Sequence, residues 1–183
     1  MNTDKIYLEA EAIDALIDEM TLALKNRLAQ HQISAPVMIG IHTGGVWLAE
    51  HLHQRLEITE PLGTLDISFY RDDFTRIGMN PQVKPSQIPF SVDDRHIILV
   101  DDVLQTGRTI RAAMNEIFDY GRPASILLAT LVERSGRELP IQPGGVGIRP
   151  PLNLEQPASR GAVPACGRPW ATNSPKVCRP TPG

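Results

Sequence analysis

Cysteine is scarce in this chain of 183 residues, and both cysteines, Cys166 and Cys178, lie in its last eighteen positions. They form no Cys-x-x-Cys pair and have no histidine nearby, so we expect neither a disulfide framework nor a zinc site. Hydrophobic runs are also short, since none approaches the roughly 18 residues that a membrane span needs. The first residues lack the basic, apolar and small-residue order of a signal peptide. These absences predict a cytoplasmic protein with no membrane segment.

Positive charge is sparse over most of the chain. Residues 1–141 hold 13 Lys and Arg against 20 Asp and Glu, whereas residues 142–183 hold 5 against 1. An acidic body argues against a broad nucleic-acid surface. The length and the 42% apolar content are those of one ordinary domain with a sizeable core.

The apolar residues recur with periods that alternate between those of strands and helices. Strands are expected at 37–41, 64–70, 97–100 and 125–132, and amphipathic helices at 11–28, 46–56 and 109–120. This alternation predicts an α/β fold with a mainly parallel sheet and right-handed crossovers. Between residues 71 and 91 the pattern stops, which is typical of a long functional loop or of disorder.

The composition changes after Pro140. Nine prolines and six glycines fall between Pro143 and Gly183, so we expect one domain over 1–141 and an irregular tail over 142–183. An abrupt switch in composition and charge is what a shifted reading frame produces. A disordered linker or a partner-binding tail is the alternative.

One stretch carries the chemistry: Ile97-Ile-Leu-Val-Asp-Asp-Val-Leu-Gln-Thr-Gly-Arg-Thr109. Ligands of parallel α/β sheets bind at the carboxyl ends of strands, where Asp101 and Asp102 fall. A glycine-containing loop then leads into a helix whose free N–H groups favour a phosphate. The acids and the turn could instead merely end the strand and cap the helix, but the whole order favours a sugar phosphate site. Walker A and Gly-x-Gly-x-x-Gly motifs are absent.

Residues 97–109 resemble the phosphoribosyl-pyrophosphate motif of type I phosphoribosyltransferases. The continuation through Arg111-Ala-Ala-Met114, Gly121-Arg-Pro-Ala-Ser-Ile126 and Arg137-Glu-Leu-Pro140 is similar to the PyrR family, as is Ser68-Phe-Tyr-Arg-Asp-Asp73. PyrR proteins are uracil phosphoribosyltransferases, and in some bacteria they also regulate pyrimidine operons by binding messenger RNA. The resemblance covers roughly residues 5–141. It implies the type I phosphoribosyltransferase fold, a mainly parallel twisted sheet flanked by helices with a long flexible loop.

The resemblance also implies roles for particular residues. Asp101 and Asp102 would hold the ribose hydroxyls and Mg²⁺, and Arg71 and Asp73 would act at the reacting centre. The pyrophosphate would meet the loop at Thr43, Gly44 and Gly45, where the family often has an arginine at the position of Gly44. The remaining substrate-binding residues would be Val103, Leu104, Gln105, Thr106, Gly107, Arg108, Thr109, Arg134 and Val146.

The implied reaction converts uracil and phosphoribosyl pyrophosphate to UMP and pyrophosphate. The alternative is a UMP-responsive regulator that binds messenger RNA and has little or no enzymatic activity. The first 30 residues hold six acids against three bases, which disfavours RNA binding there. Exposed sheet edges also lead us to expect a homo-oligomer.

Overall fold

A computed structural model describes residues 10–67 and 86–149. Five strands form one sheet in the order β2-β1-β3-β4-β5, and every neighbouring pair is parallel. The strands are β1 (Val37–Ile41), β2 (Gly63–Leu65), β3 (His96–Leu104), β4 (Ser125–Glu133) and β5 (Gly145–Ile148). The helices are α1 (Ala10–Gln30), α2 (Gly44–Arg55) and α3 (Arg108–Tyr120). The predicted parallel α/β architecture is confirmed.

Both faces of the sheet are covered, which explains why the central strands read as continuous apolar runs. On one face, Ile97 and Leu99 of β3 pack in a cluster with Ile110, Ala113 and Ile117 of α3. On the other face, the intervening residues Ile98 and Val100 pack with α1 and α2. The alternation of side chains along β3 therefore continues directly into the two acids that follow Val100.

Two differences from the sequence-based boundaries bear on the site. Strand β3 extends to Leu104, so Asp101 and Asp102 lie inside the strand instead of after it. Strand β2 ends at Leu65, short of the expected 64–70, because the Asp66 N–H is donated to the Ser86 hydroxyl and not to a neighbouring strand. Residues 68–70 of the expected strand lie outside the described residues.

Strand β5 lies beyond residue 141, within the range for which the composition predicts an irregular tail. It pairs with β4 through the register Ala129 to Gly145 and Thr130 to Val146. The rest of the expected tail, from residue 150 onward, lies outside the described residues. Across 10–67 and 86–149, the structure has no helix whose length and apolar character would let it cross a membrane.

Candidate active site

The residues with predicted chemistry lie at the carboxyl end of the parallel sheet, at the ends of three of its strands and in the loops that follow. The loop at 42–43 follows β1, the loop at 105–107 follows β3, and the segment 134–142 follows β4. Because the strands are adjacent in the order β1-β3-β4, their loops are neighbours in space. This end of the sheet is where parallel α/β proteins bind ligands.

Asp101 and Asp102 point to opposite sides of the sheet near the end of β3. Asp101 is 5% exposed, and its Oδ1 accepts a hydrogen bond of 3.0 Å from the Asp102 N–H. Asp102 is exposed and its side chain reaches the start of α2. The first acid is therefore held by the fold, whereas the second offers a carboxylate to the solvent side of the site.

The start of α2 approaches β3 so closely that a Cβ on either of its first two residues would meet atoms of β3. A Cβ on Gly44 would lie 2.5 Å from Asp102 Cγ, and a Cβ on Gly45 would lie 2.5 Å from the Val100 carbonyl oxygen. Thr43 precedes the helix, is exposed and makes no side-chain cap, and the His42–Thr43 peptide bond is cis. The first N–H groups of α2 therefore lie beside Asp102, which suits an anion bridged to the carboxylates by a cation.

The loop from Gln105 to Gly107 leads directly into α3. Gly107 has φ +91°, a left-handed conformation that favours glycine, and it stands at the helix N-cap without a side chain to cap it. The Thr106 hydroxyl accepts a hydrogen bond of 3.2 Å from the Arg108 N–H. Thr109 lies in the first turn of α3 and is half-buried, while Arg108 is exposed. This arrangement fits a phosphate at the helix start.

The segment after β4 is hydrogen-bonded to the loop after β3. The Thr106 carbonyl oxygen accepts from the N–H groups of Glu138 and Leu139, at 3.0 and 3.1 Å. The Leu104 carbonyl accepts from the Arg134 N–H at 2.8 Å, and Arg108 Nε donates to Glu138 Oε2 at 2.7 Å. Glu138 and Leu139 belong to the stretch Arg137-Glu-Leu-Pro140 of the family resemblance, but their contacts with Thr106 and Arg108 could not be predicted, because no local pattern reveals contacts between positions 30 residues apart.

A cavity of about 330 Å³ opens in the segment after β4. Arg137 Nη2 donates to Glu133 Oε1 at 2.8 Å, whereas Arg137 Nη1 is buried and has no hydrogen-bond partner among the described residues. A buried donor without a partner is costly. The lining residues are Glu133, Arg134, Ser135, Gly136, Arg137, Leu139, Pro140, Ile141 and Gln142.

The remaining sequence-predicted site residues are more scattered. Val103 is half-buried and Leu104 is 1% exposed, both within β3. Val146 lies in β5 opposite Thr130 and is not part of the cavity lining. Arg71 and Asp73 lie outside the described residues.

The side chains of the two acids are suitable ligands for Mg²⁺, since this ion prefers carboxylate and water oxygens. Within 10–67 and 86–149, no group of three or more His, Cys, Asp or Glu side chains could hold a metal ion by itself. Mg²⁺ usually binds through one or two carboxylates together with substrate oxygens, so the arrangement fits an ion that arrives with a phosphorylated substrate. Asp101 and Asp102 are the residues that would hold it.

The chain is similar to one known family and to several solved structures. The phosphoribosyl transferase domain family matches residues 7–148. A hypoxanthine phosphoribosyltransferase from Staphylococcus aureus shares the fold, with a TM-score of 0.63 and 21% identity over 81% of this chain and 78% of that one. A purine phosphoribosyltransferase from Pyrococcus horikoshii has a TM-score of 0.61 and 27% identity, covering 81% of this chain and 89% of that one.

Curated relatives match at higher identity. A protein of Nitrosococcus oceani called bifunctional protein PyrR is 66% identical over 137 residues, which are 74% of this chain and 77% of the relative. The protein of the same name from Pseudomonas paraeruginosa is 58% identical over 132 residues, 72% of this chain and 78% of the relative. The chain therefore belongs to the PyrR family of proteins with a phosphoribosyl transferase domain.

Proposed function

We propose that the chain is a uracil phosphoribosyltransferase, which forms UMP and pyrophosphate from uracil and phosphoribosyl pyrophosphate. One observation carries the proposal: the Thr106 carbonyl joins the phosphate loop after β3 to the cavity-lining segment after β4 through two hydrogen bonds. A candidate phosphate cradle and the cavity after β4 are thereby held against each other, with Asp101 and Asp102 between α2 and α3.

The proposed reaction breaks the bond between ribose C1 and the pyrophosphate oxygen and forms a bond from uracil N1 to C1. The N1 proton leaves to pyrophosphate or to water. Positive charge develops on the ribose ring while negative charge grows on the leaving group, so positioning and electrostatics matter more than a strong base. The carboxylates of Asp101 and Asp102 bind the ribose hydroxyls and stabilise the positive charge that develops on the ribose ring.

The two helix starts divide the phosphates between them. The N-terminus of α3, with Thr106 to Thr109, binds the 5-phosphate through backbone N–H groups. The loop from Thr43 to Gly45 receives the pyrophosphate, because α2 begins beside Asp102. Asp101 and Asp102 would hold Mg²⁺ together with substrate oxygens, and the ion would supply positive charge that neutralises the leaving group. We assign Arg71 and Asp73 to the same centre on the sequence motif alone.

The cavity after β4 supports binding of the base. Uracil presents two carbonyl oxygens and ring N–H groups, so its pocket needs both donors and acceptors. Arg137 Nη1 is a buried donor without a partner among the described residues, and Arg137 lines the cavity. The Glu133 carboxylate holds the guanidinium in place from the other side. Arg137 therefore donates to a uracil carbonyl in this proposal.

The experiment is to measure pyrophosphate released from phosphoribosyl pyrophosphate in the presence of uracil and Mg²⁺. Asp101→Asn/Asp102→Asn should lower kcat/KM at least about 100-fold, since preorganised charges of this kind are worth that much. The circular dichroism spectrum should be unchanged, because the amide oxygen introduced by Asp101→Asn can still accept from the backbone N–H of the next residue.

The chain offers a matched control for that double variant. Asp93 and Asp94 are an adjacent acid pair just before β3, at the opposite edge of the sheet. Asp93→Asn/Asp94→Asn should retain full activity. Equal losses in both double variants, or an active Asp101→Asn/Asp102→Asn enzyme, would contradict the proposed site.

Regulation of pyrimidine operons through messenger RNA is a second function, which the curated relatives' name, bifunctional protein, supports. The acidity of α1 opposes RNA binding less than composition suggests, because Arg55 pairs with both Asp14 and Asp18, at 3.1 and 2.7 Å. Arg149 is 67% exposed although it pairs with Glu133, so its guanidinium is accessible to a phosphate.

A further inference from the structure

A chain of hydrogen bonds links β2 to α3 outside the proposed catalytic centre. The Asp66 N–H donates to Ser86 Oγ at 3.0 Å, and the Ser86 hydroxyl donates to Glu116 Oε1 at 2.5 Å. We call these three residues the β2–α3 clamp. Beside it, the backbones of Thr64 and Gln87 exchange two hydrogen bonds of 2.7 and 2.8 Å. The clamp thus ties the end of β2, the chain 20 positions later and the middle of α3 together.

The clamp is more polar than its position requires. Glu116 is half-buried on α3, next to Ile117, which is fully buried. Its Oε1 accepts the hydrogen bond from Ser86, whereas its Oε2 is buried without a hydrogen-bond partner among the described residues. Ile88 and Phe90 already pack the same segment against the α3-side core. Packing of Ile88 and Phe90 already holds the segment that contains Ser86. The Glu116 carboxylate therefore adds a directional hydrogen bond that fixes the orientation of Ser86, and its burial has a desolvation cost.

The clamp is connected to the proposed pyrophosphate loop through the residue that precedes Asp66. The carbonyl oxygen of Leu65, the residue before Asp66, accepts a hydrogen bond of 2.8 Å from the His42 N–H. His42 is followed by Thr43 and Gly44, at the start of α2. A shift of the backbone at residues 65–66 would therefore move the loop that faces Asp102.

We propose that Glu116 is a positioning residue for the pyrophosphate loop and acts through Ser86 and the end of β2. This inference rests on the proposed function for the assignment of the two phosphate loops. The 5-phosphate loop at 105–109 leads into α3, the helix that carries Glu116, but its position is held separately by the segment after β4 through the Thr106 carbonyl. The clamp therefore affects ligands that carry a pyrophosphate and spares ligands that carry only the 5-phosphate.

The test measures binding of two ligands by titration calorimetry in Mg²⁺ buffer: phosphoribosyl pyrophosphate and ribose 5-phosphate. Ser86→Ala and Glu116→Ala should each weaken phosphoribosyl pyrophosphate binding about tenfold, since small displacements of a positioning element have effects of this order. Ribose 5-phosphate affinity should change less than about twofold, because the hydrogen bonds from the segment after β4 hold its loop independently of Ser86 and the end of β2. Glu116→Gln should recover part of the loss, because the amide oxygen still accepts from Ser86.

Ile117→Val is the matched control for general destabilisation. It removes one buried methylene from the same helix turn without touching the clamp. It should lower the melting temperature yet leave both affinities unchanged. If the clamp variants weaken both ligands equally, or leave phosphoribosyl pyrophosphate binding intact, the proposal is wrong. It is also wrong if Ile117→Val reproduces their ligand pattern.

These measurements are independent of uracil. A wild-type chain that binds both ligands but forms no UMP would refute the uracil transferase function, while the comparison of clamp variants would still decide the role of Glu116. A wild-type chain that binds ribose 5-phosphate but not phosphoribosyl pyrophosphate would refute the clamp proposal, because there would be no pyrophosphate loop to position.

Discussion

Replacing Gly44 by alanine tests whether the start of α2 sets the position of the Asp102 carboxylate. The new Cβ would lie 2.5 Å from Asp102 Cγ and 2.9 Å from its Cβ, and it would overlap Oδ2. Carbon atoms in contact prefer a separation of at least about 3.5 Å, so the carboxylate must move by roughly 1 Å. A misplacement of that size can cost about 100-fold in rate. We expect such a loss in kcat/KM for Gly44→Ala.

The stability of Gly44→Ala should move in the other direction or not at all. Asp102 is exposed, so its side chain can turn toward solvent without disturbing the core. Alanine in place of glycine in a helix contributes up to about 1 kcal/mol. The melting temperature should therefore stay constant or rise by a few degrees. The assays are pyrophosphate release and thermal unfolding of the same preparation.

Gly45→Ala provides the contrast. Its Cβ would lie 2.5 Å from the Val100 carbonyl oxygen and 2.9 Å from Asp101 Cα, and these backbone atoms cannot turn away. Overpacking of this kind costs about 1–3 kcal/mol. We expect Gly45→Ala to lose stability as well as activity. Full activity in Gly44→Ala, or a loss of stability equal to that of Gly45→Ala, would refute the reasoning.

Two further predictions concern the base cavity and RNA. Arg137→Lys keeps the charge beside Glu133 but removes the buried Nη1, so KM for uracil should rise about tenfold, the worth of one hydrogen bond. Arg149→Lys, which alters the other arginine on Glu133, should leave KM unchanged, and equal effects would contradict a specific role for Arg137. A pyrimidine-leader RNA hairpin should bind more tightly with UMP and lose affinity between about 50 and 200 mM salt. Filter binding that shows neither effect would argue against the regulatory function.

Much of the fold could be predicted because its signals lie within short windows. The helix period of α1 and the apolar runs of β1 and β3 reflect which side chains are buried, so they can be recognised from residues that are close together in the chain. The expected helix at 109–120 is found as α3, one residue longer at its start. Strand β2 was expected to be longer, since an alternating pattern cannot reveal that the Asp66 N–H pairs with a side chain.

The site was predictable to the same extent. Adjacent acids at the end of a buried strand, followed by Thr106 and Gly107 before a helix, are local features with a physical meaning. The sequence could not indicate that Gly44 faces Asp102, because that closeness depends on how α2 packs across β3. Nor could it assign a role to Glu116, which looks like an ordinary polar residue of α3.

The sequence by itself determined the parallel α/β fold and the placement of the acid pair before a glycine turn at a helix start, because periodicity, turn chemistry and helix starts act over a few neighbouring residues. Only the tertiary structure decided which distant segments meet. Glu138 and Leu139 close on Thr106, Ser86 joins Asp66 to Glu116, and β5 adds a strand beyond residue 141. Contacts of this kind form only when the sheet brings its strands and their loops together, so no periodic pattern in the sequence indicates them.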